Sequence, residues 1–147
     1  MSPSASSAAS RLVLEVARAG DLMTPNPVSI RAEASIPEAI ALLTQRGFGA
    51  APVIDEAGRP VGVVSRADIL IHQRERALPD GTIPVGDAVV SDVMTPAVFS
   101  VPPETPADKV IEQLLTLNVN HLFVVDPDQL LIGVIAPVDI LRRLRAD

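Results

Sequence analysis

The chain repeats itself. Asp21-Leu22-Met23-Thr24-Pro25 returns as Asp92-Val93-Met94-Thr95-Pro96, with Met94 standing 71 positions after Met23. The same offset carries Ser29 onto Ser100, Glu33 onto Glu104, Ile40 onto Ile111 and Leu43 onto Leu114. It carries Val53-Ile54-Asp55 onto Val124-Val125-Asp126, Gly62-Val63 onto Gly133-Val134, and Asp68-Ile69-Leu70 onto Asp139-Ile140-Leu141. No gap is needed. Two copies of one supersecondary unit follow, because chance does not hold so many positions in one register. The period exceeds that of a solenoid repeat, so the expected product is a pair related by a pseudo-twofold axis rather than an array.

Each copy predicts the same order of elements, β-α-β-β-α, an α/β (α+β) pattern. A short β-prone run, Val28–Ile30 or Val98–Val101, follows the Met-Thr-Pro turn. Ser35-Ile36-Pro37-Glu38 then reads as a capping box, and Thr105-Pro106-Ala107-Asp108 as a similar cap with proline at the first helical position. Helical apolar spacing runs through Ala39, Ile40, Leu42 and Leu43, and through Val110, Ile111, Leu114, Leu115 and Leu117. Gly47 and Asn118 stop these helices. Strands follow at Ala51–Ile54 and Val61–Val64, and at Leu122–Val125 and Leu130–Ile135, each pair around an Asp-led turn. Second helices start near Arg66 and Pro137. The lead-in helix of copy one is expected within Leu12–Leu22, and that of copy two within Val85–Val93. Aromatics make up 2% of the residues while 48% are apolar, so Val, Ile, Leu and Ala must fill the core. A buried sheet covered by helices suits them.

The expected boundaries are a disordered Ser/Ala-rich tail at 1–10, repeat one at 11–76, a polar linker at 77–85 and repeat two at 86–147. No basic n-region leads the tail, so no secretory signal is read. No apolar stretch approaches the roughly 20 residues that span a bilayer. A cytoplasmic location is the expectation; the Ser, Ala and Arg of the start leave an organellar transit peptide as the alternative, against which Glu15 and Asp21 argue. Cysteine is absent, which excludes disulfides, thiolate metal sites and thiol catalysis. The formal charge of −6 removes any general pull toward phosphate backbones, so nucleic acid is not an expected partner.

Catalytic motifs are missing. There is no Walker loop and no G-x-G-x-x-G loop, and Ser65, although it follows a strand, lacks the flanking glycines of a nucleophile elbow. Neither His72 nor His121 reads at metal-ligand spacing from a second candidate ligand. A chain that is not an enzyme, with no metal and no catalytic cofactor, is expected. The informative segment is Gly62-Val63-Val64-Ser65-Arg66-Ala67-Asp68. A buried strand ends, a hydroxyl opens a helix, and an acid sits in its first turn. Free N–H groups and the positive end of the helix dipole suit a phosphate there, and Asp68 can accept from two neighbouring hydroxyls, as an acid does on ribose. Ser65 as a plain N-cap and Asp68 as a first-turn acid explain the same residues by stability alone.

The Met-Thr-Pro turn, the Pro52-Val53-Ile54-Asp55-Glu56-Ala57-Gly58 hairpin and the Gly62–Asp68 strand–helix joint together resemble a cystathionine-β-synthase (CBS) domain. Two in tandem resemble a CBS pair, or Bateman module, over Ala19–Arg143. The resemblance implies a regulatory module that binds AMP, ADP, ATP, S-adenosylmethionine or a related adenosine ligand in clefts between repeats. By the family pattern the first cleft takes Ser65, Arg66 and Asp68 with Ala97, Val98, Phe99, Asn120, His121 and Leu122, where His121 holds a position of basic phosphate contacts. His121 closing a strand end, Arg66 as a solvated helix start and Phe99 as core are the alternative readings. The second cleft takes Asp139 with Asn26, Pro27, Val28, Gly49, Ala50 and Ala51. There the hydroxyl position is Ala136 and the counterpart of His121 is Ala50, so weak or no nucleotide binding is expected. The resemblance also implies a homodimer built on helical faces and regulation of another, unnamed protein. A dimerisation module with vestigial clefts is the competing reading.

Overall fold

The computed structural model describes residues 12–146. The expected tail at 1–10, and Arg11 and Asp147, lie outside the described residues. These residues form two compact units, one of residues 12–26, 99–128 and 132–146, the other of 27–98 and 129–131.

The unit around repeat one holds β3 (Ile30–Arg31), α2 (Ile36–Gln45), β4 (Ala50–Ile54), β5 (Pro60–Ser65), α3 (Arg66–Arg76) and α4 (Val90–Val93). Its sheet runs β3-β4-β5, with β3 parallel and β5 antiparallel to β4. Ser35 caps α2, with Glu38 N donating to Ser35 Oγ at 3.2 Å, but the reciprocal half of the expected capping box does not form: Glu38 Oε1 accepts from the Ser35 hydroxyl, at 3.2 Å, rather than from its N–H. Gly47, at φ +68°, follows α2 in the left-handed conformation that glycine adopts without strain. Ile30, Ile36, Ala39, Leu43, Ala51, Val53, Val64, Ile69 and Val90 are buried together.

The unit around repeat two holds β6 (Ser100–Val101), α5 (Ala107–Leu117), β7 (Leu122–Val125), β8 (Leu131–Ile135) and α6 (Pro137–Leu141). It also takes β1 (Leu12–Leu14), α1 (Ala19–Leu22), β2 (Thr24–Pro25) and β9 (Leu144–Ala146). Its larger sheet runs β2-β8-β7-β6. Ala19, Leu22, Val101, Val110, Leu114, Leu122, Val124, Ile135 and Ile140 form its core.

Each β-α-β-β-α order is as expected, but the lead-in segments change places. Ala19 and Leu22, ahead of repeat one, enter the core of repeat two. Val90, ahead of repeat two, enters the core of repeat one. Paired backbone causes this. Thr24 pairs with Val134, and Thr95 with Val63. The repeated glycines make room for it. A Cβ at Gly62 would come within 2.6 Å of Thr95 O and 2.8 Å of Met94 Sδ, and one at Gly133 would strike Met23. The paired Met23 and Met94 are thus packing residues, each against the glycine of the other repeat.

Two further local expectations are corrected. The lead-in helices are four residues each, Ala19–Leu22 and Val90–Val93, and Leu12–Leu14 is a strand. Thr105 does not cap α5, and Pro106 precedes its first helical residue. Backbone replaces the cap: Ala107 N donates to Ala17 O, and Ala19 N to Thr105 O, both at 2.8 Å. At the C-terminal side α6 stops at Leu141, and Leu144–Ala146 pairs antiparallel with Leu12–Leu14. Arg145 meets Glu15 at 3.2 Å across that ribbon. No helix among the described residues is long and apolar enough to cross a membrane.

Candidate functional site

The two copies of the strand–helix joint have the same backbone and different chemistry. At the end of β5, Ser65 Oγ accepts from Asp68 N at 3.1 Å while Ser65 N donates to Asp68 Oδ2 at 2.9 Å. This is a reciprocal capping box. It uses one carboxylate oxygen. Among the described residues no hydrogen bond or ion pair reaches Asp68 Oδ1, and the side chain is half-buried. Thr95, although paired with Val63, makes no bond to Asp68.

At the end of β8, Ala136 has no hydroxyl, and only the acid's half of the box survives: Ala136 N donates to Asp139 Oδ2 at 2.7 Å. Asp139 Oδ1 is also taken. It accepts from Thr24 Oγ1 at 3.1 Å, and Arg142 Nη1 stands 3.8 Å away. Asp139 is 8% exposed. Thr24 and Thr95 are equivalent in the repeat, yet only Thr24 binds its acid. The repeated threonine was visible in the sequence; its partner was not, since the bond spans 115 positions.

Ala97 and Val98 share the Asp68 unit, whereas Phe99, Asn120, His121 and Leu122 belong to the other. Arg66 N donates to Gly49 O at 2.9 Å, and its exposed guanidinium reaches Leu43 O only at 3.5 Å. Ser65 stands opposite Ala50 in the sheet. Residues expected in different clefts, Gly49 and Ala50 against Ser65 and Arg66, are therefore close neighbours. Ala51 is buried. Asn26 adopts φ +50° and donates its N–H to Ile132 O at 3.1 Å, in the Asp139 unit, while Pro27 and Val28 lie in the other. Leu122 is wholly buried in the core, so it can offer a ligand only backbone. Phe99 packs against that core, and its carbonyl accepts from Phe123 N at 2.9 Å.

His121 is half-buried, with its ring centroid 5.0 Å from that of Phe123. Nδ1 lies 2.9 Å from Asn120 Oδ1, and Nε2 is buried with no partner. Burial lowers its pKa below the ordinary 6.5. Burial thus works against the charged form of this ring.

Asp68, Ile71, His72, Glu75, Asp92 and Val93 line an open cleft in the repeat-one unit. His72 stands four residues after Asp68 on α3, a ligand-like spacing that the sequence reading passed over. No group of three or more His, Cys, Asp or Glu among the described residues has the arrangement to hold a metal ion.

Two strand–helix joints with an acid in each first turn, under duplicated sheets, define a tandem α+β repeat class. The CBS domain model matches residues 19–75 and 90–146, and the chain belongs to the CBS-domain family. The chain is 33% identical over 112 residues to the gamma-3 subunit of the 5'-AMP-activated protein kinase of Bos taurus, covering 76% of this chain and 22% of that one. It is 30% identical over 128 residues to an inosine-5'-monophosphate dehydrogenase of Nitrosopumilus maritimus, covering 87% and 24%. The chain thus spans under a quarter of these relatives. A crystal structure of CBSX2 in complex with AMP superposes with a TM-score of 0.68 at 31% identity, covering 85% of this chain and 93% of that one.

Proposed function

We propose that this chain is a regulatory module that binds one adenosine-type nucleotide, AMP, ADP, ATP or S-adenosylmethionine, through Ser65 and Asp68. The observation that carries the reading is Asp68 Oδ1, which no hydrogen bond or ion pair among the described residues uses. A ribose diol offers two donors to such an oxygen. The Arg66 guanidinium suits a phosphate, while the Arg66 and Asp68 N–H groups at the start of α3 are already donated to Gly49 O and Ser65 Oγ. Ala97, Val98, Phe99, Asn120, His121 and Leu122 complete the proposed site. The similarity to a kinase gamma subunit and to an AMP-bound CBS protein supports the choice of ligand.

The Asp139 half does not bind phosphate in this reading. Its acid is committed to Thr24 and Ala136, and Ala136 has no hydroxyl to offer. Asn26, Pro27, Val28, Gly49, Ala50 and Ala51 would then serve a nucleoside at most. The chain catalyses nothing in this proposal and acts on a partner protein by population shift, to the extent that ligand affinity differs between its states.

A panel of AMP, ADP, ATP, NAD, S-adenosylmethionine and GTP tests the reading by thermal shift. A ligand at 100 times its Kd stabilises by about 2.7 kcal/mol. At least one adenosine ligand should raise Tm in the native chain and not in Asp68→Ala. No shift with any nucleotide refutes the reading and favours a dimerisation module. One observation supports dimerisation itself: Leu70 (69%) and Ile71 (48%) on α3, and Val138 (48%) and Leu141 (63%) on α6, are exposed apolar side chains. A homodimer through these faces is compatible with either reading.

A further inference from the structure

We propose that the repeat-one unit holds a separate ligand site, a cleft between α2, α3 and the 83–88 loop, which takes a short aliphatic carboxylate on Arg76. The site lies within one unit and does not depend on the nucleotide reading.

His72 and Gln73 stand four and three residues before Arg76 on α3, so the three side chains share one helix face. All three line the cleft, as do Ile36 and Ile40 of α2 and Ile83 and Val85 of the loop. Its space is about 350 Å³, including the part open to solvent. Arg76 is half-buried. A Cβ at Gly86 would strike the Arg76 guanidinium, so it is the bare backbone of Gly86 that lets the group lie there. Among the described residues no hydrogen bond or ion pair engages the side chains of His72, Gln73 or Arg76. A cation in the last turn of α3 also suits the helix dipole. That accounts for the charge of Arg76 and not for its place against Gly86.

The acids of the neighbouring segments leave the guanidinium unclaimed. Glu38 of α2 accepts from the Ser35 hydroxyl, and Asp80 accepts from both the N–H and the hydroxyl of Thr82. Glu75 and Asp87 are exposed, and neither forms an ion pair with Arg76. Drawing a guanidinium partly out of water without a carboxylate costs free energy, which an incoming anion offsets. The walls decide which anion. A guanidinium is a planar fork that matches the two oxygens of a carboxylate. One cation balances one negative charge, which favours a monoanion over a phosphate dianion. Gln73 offers an N–H to the same oxygens, and so does His72 in either charge state. Ile83 and Val85 are 42% and 86% exposed, and an aliphatic tail would cover them. The limited space holds that tail to a few carbons.

The probe is 3-methylbutanoate, titrated into the full chain at neutral pH and followed by proton–nitrogen correlation NMR. Saturable shifts should appear at the Arg76 Nε–H and at the Val85 and Gly86 N–H groups. The neutral 3-methylbutanamide, of the same shape, should bind about tenfold or more weakly, because it lacks the charge-assisted bond. Acetate, of the same charge without the tail, should also lose about tenfold or more. Arg76→Gln should weaken 3-methylbutanoate by a similar factor. Gly86→Ala keeps the charge but displaces the guanidinium, so it should weaken binding as well. Equal affinity for the carboxylate and the amide overturns the proposal, as does affinity unchanged in Arg76→Gln. Absence of saturable shifts at these groups also overturns it. The carboxylate–amide comparison uses the native chain alone, so it holds even if a variant fails to fold.

Discussion

Asp139→Ala should be among the more damaging single substitutions in this chain, even though Asp139 occupies the position of a ligand acid. Its carboxylate is 8% exposed and accepts from Ala136 N at 2.7 Å and Thr24 Oγ1 at 3.1 Å. A hydrogen bond to a charged group contributes about 1.5–3 kcal/mol net. The two bonds share one carboxylate, so they do not add in full. Arg142 adds little, since it is mostly exposed at 3.8 Å, and such pairs contribute roughly 0–1 kcal/mol. A loss of about 3 kcal/mol follows, or roughly 10 °C in Tm for a chain of this size. Thr24→Val should cost about 1 kcal/mol, and the double variant should fall short of the sum by about the same amount. Urea unfolding followed by circular dichroism measures all three. Asp68→Ala, which loses one half of a capping box at a half-buried position, should cost only about 1 kcal/mol. Equal losses for Asp68→Ala and Asp139→Ala, or full additivity with Thr24→Val, would refute the view that the fold engages both oxygens of Asp139 and one of Asp68.

Other substitutions probe the scaffold and its titration. Gly62→Ala should lose about 1–3 kcal/mol by urea unfolding, because Thr95 O is backbone and cannot step aside at 2.6 Å. Met94→Ala should not rescue it, since the carbonyl remains. Stability should decline as pH falls below 6.5, because the folded state holds the His121 proton less readily than the unfolded chain does. His121→Gln should flatten the curve in that window. A further loss below pH 3.8 should remain in it, since Asp55 is held low chiefly by its bond from Arg59 N, and Asp80 by that from the Thr82 hydroxyl. Melting temperatures from pH 2.5 to 7.5 check both parts.

The scaffold was legible because its signals are local and duplicated. Ser35, Gly47 and Asn118 act within a few residues of themselves, and the offset of 71 lets each copy support the other. The lead-in helices were not legible in the same way. Four residues are too few to show a 3.6-residue period, and which core they join depends on pairing between positions far apart, Thr24 with Val134 and Val63 with Thr95. The glycines were visible as repeats, but the reason for them is a methionine from the other copy. The strand at Leu144–Ala146 was not legible either, because its partner Leu12–Leu14 lies some 130 positions earlier in the sequence. In the candidate site, the missing hydroxyl at Ala136 was plain from residue identity. The engagement of Asp139 by Thr24 was not, and neither was the lowered pKa of His121, because burial and distant partners decide both.

Calorimetric titration of the native chain with AMP tests the central claim most directly. One nucleotide per chain is the predicted stoichiometry, lost in Asp68→Ala and retained in Thr24→Val. Two equivalent nucleotides per chain, or binding that is indifferent to Asp68, would contradict it.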